Sequence, residues 1–304
     1  MTAESEASGH NAISLQEGRA ELPKTVYILV LNWNGWKDTN DCLASLKKLN
    51  YDRWKVVVID NASTDDSAAR IHERFPEVEI VQLEGNLGYA KGNNSGIRLA
   101  LERGAEYVWL LNNDTTVDSE ALRAMVHLAE ENPRIGAVGS AVYYASQPNR
   151  VQAWGGGYVD FRLGRARHFT GPVADTEIEF LTGTSLLLRR PILESLGLLD
   201  EGFFMYWEDT DYSFRLREAG LQLAVAPQSK IFHKGSASFK SNALLDNYFT
   251  KSSARFFRKH AKFPAFPFWM GVVLRLTKRV IQGRWDDLRA VWSGAISGSR
   301  RSRD

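Results

Sequence analysis

VWLLNNDTT, residues 108–116, is an apolar run that stops abruptly at Asn112-Asn113-Asp114. A short run of aliphatic and aromatic residues reads as a buried strand. In open parallel sheets ligands bind beyond the carboxyl ends of the strands. Asp114 therefore stands where a hard divalent ion can be held against a diphosphate. The same residues also suit a plain turn, since Asn, Asp and Thr favour turns. What separates the two readings is whether other strand ends carry matching chemistry.

Upstream, Val26–Leu31 and Lys55–Ile59 are buried strands of the same kind, and Val78–Leu83 is a third. Helices alternate with them. One carries Cys42, Leu43, Leu46 and Leu49; one is opened by a capping box of Ser63 and Asp66 and stops before Pro76. A third runs from Tyr89 to Arg103 and is closed by Gly104. After the central strand, Asp118 or Ser119 caps a helix bearing Leu122, Met125, Val126 and Ala129. This β-α alternation predicts a mostly parallel, Rossmann-like sheet covered by helices on both faces. Gly88, Gly92 and Gly96 recur every fourth residue, which suits close packing of a helix on the sheet or of backbone on a ligand. A Gly-x-Gly-x-x-Gly fingerprint after the first strand and a P-loop are both absent.

The second half is less regular. Ile135–Tyr144 reads as a strand, Trp154–Gly171 as a loop or hairpin, and Phe180–Arg189 as a strand interrupted at Gly183. A short helix starts at Pro191 and ends at Gly197. The aromatic run Phe203–Trp207 leads into Glu208-Asp209 at the start of a helix capped by Gly220, followed by strands at Leu221–Ala226 and Ile231–His233.

Five polar clusters fall at loop positions: Asn32–Asn34, Asp60–Asp65, Asn86–Gly88 with Asn93, Asn112–Asp114, and Glu208-Asp209 with His233. The first four follow successive strands of one sheet and so share an edge. Asp60 can accept hydrogen bonds from a nucleobase or ribose, or can simply hold a turn. A carboxylate opening a helix is favoured by the helix dipole, so Glu208 and Asp209 suit either a structural role or a general base for a hydroxyl. His233 with a nearby Asp suits a divalent metal.

Composition sets few limits. The 304 residues are 44% hydrophobic and 24% charged, with a formal charge of +2. The single cysteine, Cys42, reads as a core residue and fits a reducing compartment. Residues 1–22 are polar, lack an apolar signal core, and are expected to form a disordered leader.

NWNG at the first strand end, then VVVIDNASTD, NLGYAKGNN, LLNND, FLTGTSLLLRR and FMYWEDTDYSFRLREAG, together resemble the inverting family 2 glycosyltransferases of the GT-A fold. The resemblance covers roughly residues 25–240 and is nearest to the non-processive bacterial rhamnosyltransferase-like group. It implies that Asp60, with Asp65 beside it, binds the donor's base, and that Asn32, Asn34, Asn86, Gly88 and Asn93 line the donor site. Asn112-Asn113-Asp114 matches the DxD motif, with Asp114 the ligand of a divalent cation (Mg²⁺ or Mn²⁺) and Asn112 in place of its first acid. Thr182-Gly183-Thr184 matches the loop facing donor and acceptor, with Trp207 and Glu208 nearby. Asp209 matches the catalytic base, and His233 the histidine completing the metal site. The Gln-x-x-Arg-Trp motif of processive members is absent, so one sugar is transferred per encounter.

The implied partners are a nucleotide-diphosphate sugar, dTDP-rhamnose before UDP-sugars, and a glycan or polyprenyl-diphosphate-linked acceptor; nucleic acid is not among them. The implied process is cell-surface polysaccharide synthesis, in the cytoplasm or on the inner face of the plasma membrane. Two other classes were weighed. A nucleotidyltransferase needs a glycine- and lysine-rich N-terminal signature that is missing, and a non-catalytic sugar-nucleotide module has no use for both Asp114 and Asp209. The expected organisation is a GT-A domain over residues 23–250 and a C-terminal helical extension over 251–304. In that extension Arg275, Lys278 and Arg279 are expected opposite Val272, Val273, Leu276 and Val280. Such a helix can lie on an anionic membrane, or pack on the core or on a second subunit of a homo-oligomer.

Overall fold

The computed structural model describes residues 23–235 and 242–299. The leader expected over residues 1–22 lies outside them. The first half alternates strictly: β1 (Val26–Asn32), α1 (Trp36–Leu46), β2 (Trp54–Asp60), α2 (Ser67–Arg74), β3 (Glu79–Gln82), α3 (Gly88–Glu102) and β4 (Tyr107–Asn112). A short β5 (Thr115–Val117), α4 (Ala121–Glu131), β6 (Ile135–Tyr144) and β7 (Gln147–Trp154) follow. Then come β8 (Gly156–Asp160), β9 (Arg165–His168), β10 (Phe180–Leu181), β11 (Ser185–Arg189), α5 (Arg190–Leu196), α6 (Glu208–Glu218) and β12 (Gln222–His233). Three helices complete the described chain: α7 (Asn242–His260), α8 (Ala265–Ile281) and α9 (Trp285–Ser299).

The main sheet runs β3-β2-β1-β4-β11-β6-β12-β5, with β7 paired to β6. β1 to β4 are mutually parallel, β11 is antiparallel to both its neighbours, and β12 returns parallel to β6. The chain winds outward from β1 to β3 and then crosses back to β4, so the crevice between β1 and β4 is the switch point where such sheets bind ligands. Strands buried on both faces explain the continuous apolar runs. Val26, Ile28 and Val30 pack into one core layer with α1 and α4, while Tyr27 and Leu29 pack into the other with α3. Trp109, fully buried on β4, donates its indole N–H to Ser185 (2.9 Å), which continues a buried hydroxyl chain through Ser140 to Ser229. That chain satisfies polar atoms that would otherwise be costly to bury.

Several local expectations change. Ser63 does not cap α2; its hydroxyl turns to Asp60 (2.6 Å), and Asp65 instead accepts from the Ser67 N–H (3.0 Å). Asp118 turns the chain before α4 by accepting from the Glu120 N–H (3.0 Å). Phe180–Arg189 is two strands in two sheets, because the Thr182–Thr184 loop carries the chain from the β10-β8-β9 sheet to the main one. Leu221–Ala226 and Ile231–His233 belong to one strand whose register shifts between Ala226 and Lys230, where Pro227 removes a donor. Gly92 and Gly96 do serve close packing: a Cβ there would lie 2.8 Å from Leu31 and 2.9 Å from Leu29. Cys42 is a core residue, fully buried, and burial pushes its thiol up to about 12.

The C-terminal helices pack on the enzyme body. The expected boundary at 250/251 falls inside α7, which packs on α9 and α8. On α8 the expected division holds for Val272 and Leu276, which pack inward, and for Lys278, which is exposed, but not for the other four residues. Arg275 and Arg279 turn inward to the buried Asp246 (3.2 and 2.7 Å), with the Arg275 guanidinium over the Phe249 ring, whereas Val273 and Val280 are exposed. Two partly buried cations need an anion, and the buried Asp246 on α7 supplies it.

Candidate active site

A cavity of about 360 Å³ opens at the carboxyl edge of the sheet, beside β1 and β4. Its size suits a small-molecule site. Asn112, Asn113 and Asp114 from the end of β4, Asn86 and Gly88 before α3, the Thr182–Thr184 loop, Trp207, Glu208 and Asp209 at the start of α6, and His233 at the end of β12 all line it. Residues separated by more than a hundred positions in sequence thus meet at one place.

The other expected donor residues form a frame behind the wall. Asn32 donates to Asp60 (2.8 Å) and accepts from Thr39 (2.8 Å), which in turn accepts from Asn113 (3.1 Å). This buried chain ties the ends of β2 and β1 to the loop after β4. Asp60 is closed in by Asn32 and by the Ser63 hydroxyl and N–H. Asn34, at φ 52°, accepts from the Thr64 N–H (2.7 Å) and so holds the loop after β2. Asn93 donates to the Tyr89 carbonyl within α3, and Asp65 is exposed at the start of α2. At the β2 edge the wall is made instead by Asn61, which clamps Asn86 (3.0 Å), the Gly88 carbonyl (3.2 Å) and the Leu87 N–H (2.9 Å).

Asp114 and His233 converge, with Oδ1 and Nε2 3.1 Å apart and both side chains mostly buried. The opposite ring nitrogen of His233 faces Gln152 Oε1 at 2.8 Å. A proton on Nδ1 satisfies that contact, and Nε2 of the neutral ring then turns a lone pair toward a carboxylate oxygen. A proton or a cation between them removes the conflict. A hard carboxylate oxygen and an imidazole nitrogen oriented by an outer hydrogen bond form a donor set that fits a divalent ion. Among the described residues no third His, Cys, Asp or Glu joins them. That suits an ion whose remaining ligands are water and substrate phosphate, the usual arrangement for Mg²⁺.

Across the cavity Asp209 is fixed from two sides. Oδ2 accepts from the Gly183 N–H (2.7 Å), and Oδ1 from the Thr210 N–H (2.6 Å) and hydroxyl (3.1 Å). Gly183 is held in turn by the Tyr89 hydroxyl, which donates to its carbonyl (2.6 Å). A side chain at 183 would meet that hydroxyl at 2.9 Å, so the close approach requires glycine. Glu208 differs from its neighbour. It is 5% exposed, its Oε2 has no partner among the described residues, and burial, then the charge of Asp209, raise its carboxyl well above the usual range.

The loop before α6 is strained. Tyr206 and Trp207 both take left-handed backbone, φ 67° and 71°. α7 holds them there: Ser252 donates to the Met205 carbonyl (2.7 Å), Tyr248 stacks on Phe204 (4.6 Å), and Trp207 lies against Phe249, Phe256 and Phe257. Gly88, at φ 78°, admits the Phe204 carbonyl, where a Cβ would come within 2.2 Å. Leu245 and Phe249 of α7 also reach the cavity, as does His168 of β9. No sequence motif marks these three, and Asn61 lies within the Asp60–Asp65 cluster with nothing local to set it apart from its neighbours.

The family profile described as Glycosyl transferase family 2 matches residues 27–197. The N-acetylglucosaminyl-diphospho-decaprenol L-rhamnosyltransferase of Mycobacterium tuberculosis is 28% identical over 222 residues, 63% of this chain and 70% of that one. The dTDP-rhamnosyl transferase RfbF of Shigella flexneri is 24% identical over 219 residues, covering 70% of each chain. Among solved structures, the mannosyltransferase PcManGT of Pyrobaculum calidifontis, in complex with GDP-Man and Mn²⁺, superposes with a TM-score of 0.58 at 19% identity. That superposition covers 94% of this chain and 81% of the other, and the likeness is one of fold.

Proposed function

The chain belongs to glycosyl transferase family 2, and from that premise we propose how it works and on what. It is an inverting glycosyltransferase that moves one sugar, rhamnose from dTDP-rhamnose, to a hydroxyl of a glycan or polyprenyl-diphosphate-linked acceptor in cell-surface polysaccharide synthesis. The observation that carries the reading is that the Asp114–His233 pair and Asp209 line one cavity at the switch point of the sheet. The choice of sugar is supported by the names of the two rhamnosyltransferase relatives. The buried Cys42, with no partner for a disulfide, supports a reducing, cytoplasmic setting. No helix among the described residues is long and apolar enough to cross a membrane.

In the proposed reaction Asp209 takes the proton of the acceptor hydroxyl as its oxygen forms a bond to the anomeric carbon. The bond from that carbon to the donor diphosphate breaks, and the nucleoside diphosphate leaves with the electron pair. A single displacement inverts the anomeric centre. Asp114 and His233 would hold the divalent cation, which supplies charge to stabilise the departing diphosphate. Asn86, Gly88, Asn112 and Asn113 present polar groups to the donor, with Asn32, Asn34, Asp60, Asp65 and Asn93 acting through the frame behind them. The Thr182–Thr184 loop positions both substrates, and Trp207 and Phe249 keep water from the base.

The test is a thermal-shift screen of dTDP, UDP, GDP and their sugars, each with and without Mg²⁺ or Mn²⁺. Stabilisation of about 2.7 kcal/mol is expected for a ligand at a hundred times its dissociation constant. dTDP-rhamnose with metal should stabilise most, and Asp114→Ala should abolish the metal-dependent part. Equal shifts with and without metal in the unmutated protein would refute the assignment of Asp114.

A further inference from the structure

Residues 251–304 hold thirteen Lys and Arg against three Asp and Glu, whereas residues 1–250 hold twenty-five against thirty-three. A chain nearly neutral as a whole is therefore cationic in this region, with Arg255 and Lys259 paired to Asp200 and Arg275 and Arg279 to Asp246. The same region carries most of the exposed large apolar side chains among the described residues. Phe266, Trp269, Val273 and Val280 recur along one side of α8, and Trp285 and Trp292, seven apart, continue on α9; all are at least 40% exposed. Trp269 and Trp292 approach to 6.4 Å between ring centres, which joins the two helices into one face. Lys278 is exposed on α8 and Lys262 in the turn before it, and Arg289 on α9 is exposed beside Asp286 (3.7 Å). Contiguous exposed aromatic and aliphatic surface of this kind marks an interaction site.

We propose that the α8–α9 face docks on the surface of an anionic lipid bilayer. Charge decides between a bilayer and a second copy of the chain. Two copies meeting through this face would bring two cationic regions together, which like-charge repulsion opposes. An anionic leaflet attracts them, and its interface accepts Trp and Phe rings at headgroup depth. The inward turn of Arg275 and Arg279 onto Asp246 frees the outer side of α8 for apolar residues while leaving Lys262 and Lys278 to meet headgroups. Because no described helix can cross a membrane, the helices lie on the bilayer rather than span it. α7 packs against both helices and lines the cavity through Leu245 and Phe249. Docking therefore brings the catalytic cavity close to the lipid surface.

The experiment is flotation of the full chain with large unilamellar vesicles of phosphatidylcholine, with and without phosphatidylglycerol, at low and high salt. Phe266→Ser, Ile281→Ser and Trp285→Ser are combined in one variant; these side chains are 57%, 80% and 61% exposed, so folding should be spared, as an unchanged melting temperature would verify. The unmutated protein should float with phosphatidylglycerol vesicles, more weakly at high salt, with Trp emission shifted to the blue. The variant should bind about tenfold or more weakly. Absence of flotation at any phosphatidylglycerol content would overturn the proposal. So would a dimer, seen by sedimentation, that the same substitutions split while vesicle binding is unaffected. No substrate is present, so the outcome is independent of the donor and acceptor proposed above.

Discussion

Asp209→Asn tests which side chain takes the acceptor's proton. Asp209 accepts two backbone N–H groups, those of Gly183 at 2.7 Å and Thr210 at 2.6 Å, on different oxygens. An amide keeps one acceptor oxygen and turns an NH₂ toward the other N–H, so one charge-assisted hydrogen bond is lost. Its loss should cost about 1.5–3 kcal/mol of stability. The loss of the base should cost turnover about 10²–10⁴-fold, or about 3–5 kcal/mol in the barrier. The first effect alone could also slow the enzyme by loosening the Thr182–Thr184 loop. Tyr89→Phe separates them, because it removes the other anchor of Gly183, the hydroxyl at 2.6 Å from its carbonyl, and leaves the carboxylate in place. Release of nucleoside diphosphate is measured at saturating donor and acceptor, alongside donor KM and melting temperature. Both variants should melt earlier, but only Asp209→Asn should lose two or more orders of magnitude in kcat, with donor KM little changed. If Asp209→Asn keeps kcat within about tenfold, or Tyr89→Phe falls as far, loop placement and not proton transfer controls the rate.

Two further outcomes follow from neighbouring groups. The folded protein holds the Glu208 proton to higher pH than the unfolded chain does, so stability falls as pH rises from the ordinary Glu range toward the raised folded value. Glu208→Gln removes that loss: its melting-temperature advantage over the unmutated protein should grow from about pH 5 to about pH 8, with a smaller loss of turnover than Asp209→Asn, and a pH-independent difference would show that the carboxyl titrates normally. Gln152→Ala frees the His233 ring and should weaken Mn²⁺ binding in the presence of nucleoside diphosphate by about 10–100-fold, read by calorimetry; unchanged affinity would remove Gln152 from the metal site.

The parallel half of the sheet was legible because β1, β2 and β4 are largely buried on both faces and each ends in a turn-forming polar cluster. Asn112–Asp114, Asn86 and Gly88 reach the cavity for that reason, whereas Gly183 and Asp209 come from the loop before β11 and the start of α6. Asn34 and Asp60, also at strand ends, and Asn93 within α3 do not line the cavity, because position alone does not say which way a side chain turns. Asp60 and its neighbour Asn61 lie at the same strand end, yet only Asn61 faces the cavity. The inward turn of Arg275 and Arg279 on α8 was hidden for a different reason. Periodicity shows that apolar and basic residues occupy opposite sides, but the buried anion that draws Arg275 and Arg279 inward is Asp246, about thirty residues away on another helix. His168 and Phe249 reach the cavity only through tertiary packing, and nothing local marks them.

The dependence of the site on α7 follows from strain. Two successive non-glycine residues in left-handed backbone cost on the order of 1–3 kcal/mol each. Tyr206 and Trp207 cannot hold that conformation by local bonds, and the helix they introduce has no side-chain cap. The compensation comes from the Trp207 ring packed on Phe249, Phe256 and Phe257, and from Ser252 on the Met205 carbonyl. Asp200, just before the loop, is also drawn to α7. Burial opposes its charge, but Arg255 and Lys259 outweigh burial and hold its carboxyl well below the usual range. The start of α6, and with it the direction of Asp209, is thus set by a helix that lies outside the matched segment 27–197. A change on the exposed apolar side of α8 or α9 has a short mechanical path to the carboxylate through α7, whereas the Asp114–His233 pair sits on β12 and the β4–β5 turn and does not share it. Perturbing the C-terminal helices should therefore affect turnover before it affects metal-assisted donor binding.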